Sequence, residues 1–82
     1  MKNYKIVEVE WKDITFYSGH YKIEDIKEYG LKHFKTIGYL IVENKEFIQI
    51  ALTKETTEED TVADIYMIPK VNIIKRRIFK ND

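Results

Sequence analysis

The sequence predicts a small, mainly β domain of five short strands with one short helix inserted between the first strand and the second, and so small a bent sheet can avoid exposed edges by curling into a barrel or by pairing edges between copies. Three observations carry that prediction. Residues 4–11 alternate apolar and charged, the period of two of a half-buried strand. Residues 34–53 hold two apolar, β-branched runs on either side of a polar hairpin turn, and Gly38 interrupts the first run. Residues 62–79 hold two more such runs, separated by only four residues.

The first strand puts Val7, Val9 and Trp11 on one face and Glu8 and Glu10 on the other, so Trp11 is expected on the buried side. Residues 13–21 lose the alternation and contain Ser18 and Gly19, which marks a connection. Phe16 and Tyr17 lie in it and are better candidates for a contact surface than for the core. Over residues 22–29, Ile23 and Ile26 stand three apart among charges, the spacing of a helix of about two turns, and Gly30 is placed to end it in the left-handed conformation.

The second strand, residues 34–42, is apolar or small almost throughout, so it is expected to be bent at Gly38 and covered on both faces. Residues 43–46 form a tight turn, where Asn44 tolerates positive φ. The third strand, residues 47–53, directs Ile48, Ile50 and Leu52 to the core. Residues 54–61 are polar and acidic, an exposed and mobile loop. The fourth strand (62–68) and the fifth (73–79) flank Pro69, Lys70, Val71 and Asn72, where proline removes a ladder donor and asparagine suits a turn. No internal repeat, low-complexity tract or linker divides the chain, so all 82 residues read as one domain.

Composition narrows the function classes. A chain of this size buries only somewhat more than ~60% of its unfolded surface, so association between copies would help it. With no cysteine and two histidines there is neither a disulfide nor a complete metal site, and no cofactor is expected. No apolar run approaches the ~18 residues of a membrane span and no leader pattern opens the sequence, so the expectation is a cytoplasmic protein without a membrane partner. Thirteen Ile and 12 Lys against two Ala and two Arg are what AT-rich codons produce, which points to an AT-rich bacterium or its phage.

The formal charge is zero but unevenly spread. Residues 43–69 carry seven acids against Lys45 and Lys54, whereas residues 70–80 carry Lys70, Lys75, Arg76, Arg77 and Lys80 with no acid. Zero net charge argues against broad attraction to nucleic acid and leaves a local basic patch, unless both stretches are ordinary solvated faces. Catalysis would rest on His20, His33, Asp13, Asp25 and scattered glutamates, whose spacing implies no convergence in a pocket, so no enzyme is expected.

Gly38 in a bent strand, Leu40 two residues on, Asn44 at the turn and Phe47 opening the next apolar strand resemble the first motif of Sm and Hfq-like proteins. The segment from Ile68 through Pro69, Lys70, Val71 and Asn72 to Ile73 and Ile74 resembles their second motif, a terse link between the fourth and fifth strands. The likeness covers about half of the chain and extends to small uncharacterised Sm-like proteins of phages and bacteria. It implies a small five-stranded Sm-like barrel and a homo-oligomeric ring in which the fourth strand of one copy pairs with the fifth of the next. The interface would then be Ala63, Ile65 and Met67 on one edge and Ile73, Ile74 and Ile78 on the other. RNA or DNA contacts would come from Lys70, Asn72, Lys75, Arg76, Arg77 and Lys80.

The chain departs from the Sm pattern where function is concerned. The family's RNA-contacting asparagine after the position of Phe47 is replaced by Ile48, and its arginine-glycine pair by Pro69 and Lys70. The inserted helix follows the first strand, whereas the family's helix precedes it. Two expectations therefore stand side by side: a non-enzymatic oligomer that binds nucleic acid through its basic segment, and a structural or protein-interaction accessory protein that does not.

Overall fold

The computed structural model describes residues 4–57 and 60–81, with side chains through Phe79. In chain order it contains β1 (Lys5–Lys12), α1 (Ile23–Ile26), β2 (His33–Glu43), β3 (Phe47–Lys54), β4 (Val62–Pro69), a 3-10 turn (Lys70–Asn72) and β5 (Ile73–Asn81). The five strands that the sequence predicts form one antiparallel sheet, in the order β4-β3-β2-β1-β5. The sheet is strongly bent and is not closed, since β4 and β5 lie at its two ends.

Register sets the core. Val7, Val9 and Trp11 face Gly38, Thr36 and Phe34 on β2, and Ile78, Arg76 and Ile73 on β5. Val7, Val9, Ile48, Ile50 and Ile68 are fully buried, and Trp11, Leu40 and Ile73 pack against them. Trp11 lies across the interior: its ring centroid is 5.2 Å from that of Phe34 on β2 and 6.2 Å from that of Tyr66 on β4. Its Nε1–H donates to Oγ1 of buried Thr36 at 3.0 Å, which satisfies both polar groups.

Bending is concentrated in β2. Residues 33–39 pair with β1, residues 39–43 pair with β3, and a bulge falls between Leu40 and Val42. Gly38 is required there by close approach: a Cβ would sit 2.5 Å from the Ala51 carbonyl oxygen and 2.7 Å from Ile50 Cγ2. The bend folds the end of β2 over the sheet.

Several local expectations need correction. The helix is a single turn, Ile23–Ile26, and no residue of it is buried; without a packed face its second turn has nothing to hold it. Gly30 is not left-handed, and Gly19 is, at φ 101°. The turn at Asn44 uses the side chain in place of positive φ, with Oδ1 accepting from the amides of Glu46 (2.8 Å) and Phe47 (2.9 Å). β2 is not covered on both faces, because Ile37 and Val42 are exposed. On β3 Ala51 is buried and Leu52 is exposed, the alternation being lost after Ile50. The exposure expected of the acidic loop does hold at Glu55, Thr56, Thr57 and Asp60, and Glu58 and Glu59 lie outside the described residues.

Candidate interaction surface

The basic segment is divided between two faces of β5. Arg76 stands opposite Val9 and so shares the inner face, where the folded-over end of β2 delivers Glu43 to it. Arg76 Nη1–H and Nη2–H donate to the two carboxylate oxygens at 2.9 and 3.0 Å, and Lys70 Nζ reaches the same carboxylate at 2.9 Å. The Arg76 and Lys70 hydrogen bonds hold the Glu43 carboxyl at about 2, well below its ordinary value of 4.5. Lys70 and Arg76 are thus brought together, but on one acid that offsets one of their two charges.

The outer face of β5 continues a charge ladder. Arg77 lies opposite Glu8 and Lys75 opposite Glu10, which in turn lies opposite Lys35 of β2. Arg77 Nη2 comes within 3.8 Å of Glu8 and its guanidinium sits 4.6 Å from the centroid of the Phe79 ring. Lys75 makes no ion pair among the described residues. Asn72 Nδ2–H donates to the Lys12 carbonyl at 3.0 Å, so that amide and the Asn44 amide both serve the backbone. The Lys80 side chain lies outside the described residues. What sequence could not show was that Glu8 and Glu43 come from other strands to meet these cations.

The two sheet edges carry the residues expected at an interface between copies. On β4, Ala63, Ile65 and Met67 are exposed; on β5, Ile74 and Ile78 are exposed, while Ile73 turns inward onto the core. Tyr66, Phe79 and Val71 of the connecting turn are exposed as well. The edge backbones have no partner strand among the described residues.

Residues 13–32, with α1 at their centre, form an arm that leaves the sheet between β1 and β2. Its neck is tied by the Asp13 amide donating to the Lys32 carbonyl (3.3 Å) and the Lys32 amide donating to Thr15 Oγ1 (3.0 Å). Tyr17, Tyr21 and Tyr29 pack on one another with centroids 4.8 to 6.5 Å apart. Phe16 and Tyr17 are exposed, as their place in a connection predicts.

His33 Nδ1 is 3.5 Å from Glu10 and His20 lies on the arm, so the two histidines do not converge. Among the described residues no group of three or more His, Asp or Glu side chains is arranged to hold a metal, and no helix is long and apolar enough to cross a membrane. No protein-family model, no curated protein and no solved structure matches the chain.

Proposed function

We propose that the chain is a non-enzymatic Sm-like module that assembles into a homo-oligomeric ring, β4 of one copy pairing with β5 of the next, and that the ring acts as a structural or protein-interaction component. The observation that carries this is the open strand order, which leaves β4 and β5 as free edges, each with exposed large apolar side chains. Unpaired apolar edges invite strand addition, and a head-to-tail pairing of two different edges closes into a ring when the rotation allows.

A protein-directed role is favoured over a nucleic-acid one by the fate of the cations. Lys70 and Arg76 share Glu43 and Arg77 comes within 3.8 Å of Glu8, while Asn44 and Asn72 spend their amides on the backbone. Ile48, at the place of the Sm asparagine, is fully buried. Among the described cations of this segment Lys75 makes no ion pair and, repeated around a ring, is the one most open to RNA or DNA. The cysteine-free composition fits a cytoplasmic setting, and the AT-rich residue usage fits a bacterium or a phage-infected host.

Native mass spectrometry of protein purified without nuclease tests both parts. The expected result is a closed ring without oligonucleotide. A ring that retains RNA or DNA, released as salt is raised, would move the role to nucleic-acid binding, and a monomer would remove the assembly. Met67→Lys, a charge on the β4 edge, should break the ring.

A further inference from the structure

We propose that the arm, residues 13–32, is an assembly element that docks on a neighbouring copy of this chain, adding a second contact to the edge pairing. The inference takes the existence of a neighbour from the ring proposed above. Every residue from Phe16 to Lys35 is exposed, and Ile14, Phe16 and Ile23 are 88, 85 and 71% exposed. The tyrosine trio is the arm's own small core. Its rings touch each other and leave no space for a cation between them, so the cluster is a scaffold and not an aromatic cage.

Surface area indicates how much cover is missing. The chain exposes 6543 Å², whereas a folded monomer of its mass exposes about 5,200 Å². The excess of about 1,300 Å² is close to the roughly 1,600 Å² that a protomer loses in two contacts of standard size. The radius of gyration agrees, at 16.6 Å against about 12 Å for a compact chain of this length. Strand pairing at β4 and β5 covers the edges but leaves Ile14, Phe16 and Ile23 in water.

Two features select another copy as the occupant. The arm begins at the seam, because Asn72, one residue before β5, donates to the carbonyl of Lys12, one residue before the arm; Val71 beside it is 86% exposed. A neighbour paired along β5 therefore starts where the arm starts, and the apolar surface of the edge runs on into the arm. The arm is also nearly balanced in charge, with Asp13, Glu24, Asp25 and Glu28 against Lys22, Lys27 and Lys32, which suits neither a phosphate backbone nor an anionic lipid surface.

The chain lacks cysteine, so His20→Cys gives one attachment point for a benzophenone on the arm without touching its apolar side chains. Equal amounts of unlabelled and ¹⁵N-labelled chains are mixed, assembled, irradiated and digested. Cross-linked pairs joining an unlabelled arm peptide to a labelled chain are expected. An intact ring that yields only same-chain products, or none, overturns the arm contact and leaves the ring standing. A monomeric wild type overturns both, and mixed products that persist in Met67→Lys keep the arm and overturn the edge pairing. In parallel, Ile14→Ser with Phe16→Ser is expected to raise the concentration of half-dissociation at least tenfold with an unchanged β-sheet circular dichroism signal; an unchanged concentration counts against the arm.

Discussion

Arg76 on β5 grips both carboxylate oxygens of Glu43 at the end of β2, although the two strands are not neighbours and are separated by β1. The contact exists because Gly38 and the bulge after Leu40 let β2 bend back over the inner face. The pair, with Lys70, clasps the bend from the open side of the sheet.

The clasp predicts an acid-sensitive increment of stability. A carboxyl depressed from 4.5 to about 2 stabilises the fold fully above its unfolded value and loses that contribution as pH falls from there towards about 2. The pair is about one-third exposed, so its worth is taken as ~1 kcal/mol and not as the full shift. Glu43→Gln should lower stability by that amount at pH 7 and by clearly less at pH 2, where the carboxyl is only partly ionised. Urea midpoints of both proteins at the two pH values check it; a difference undiminished at pH 2 would mean the carboxylate charge is not the cause.

The same substitution frees Lys70 and Arg76. Wild-type protein should show negligible binding to a fluorescent single-stranded RNA in low salt, and Glu43→Gln should show weak binding that fades as salt is added. Fluorescence anisotropy over a salt series decides. Strong binding by the wild type would return the basic segment to the role its charge suggests.

Five strands, their order along the chain and the bend at Gly38 were legible because each has a local signature: alternation, β-branched runs and a residue without a side chain where two backbones meet. The length of α1 was not, since Ile23 and Ile26 have the right spacing but no surface to pack on, and spacing alone does not sustain a second turn. The basic segment was legible as charge but not as a site. Glu43 and Glu8 are more than thirty residues away from Arg76 and Arg77, and only the fold brings each acid opposite its cation.

Gly38→Ala should be costly beyond its size. The added methyl meets the Ala51 carbonyl and Ile50 Cγ2 inside normal contact, and the carbonyl belongs to a paired strand that cannot retreat freely. A loss of ~1–3 kcal/mol is expected, seen as a lower urea midpoint with an unchanged slope. Gly30→Ala, where a Cβ meets nothing within 4 Å, is the control and should be nearly silent.

Ile48 stands where the proposed Sm resemblance would place an RNA-contacting asparagine. Its side chain is fully buried, opposite Ile68 on β4 and in one core cluster with Ile50, Val7 and Val9, so the position cannot present an amide to a base. Ile48→Asn would bury a carboxamide without partners and remove an apolar side chain from the core, a loss of ~3–5 kcal/mol. A domain of this length has ~4–12 kcal/mol in all. The variant should be largely or marginally unfolded and gain no RNA affinity, whereas Ile48→Val should stay folded at a cost of about 1 kcal/mol. Circular dichroism melts with the anisotropy assay distinguish the outcomes: a folded Ile48→Asn that binds RNA would mean that the position is a recognition site that isoleucine has filled.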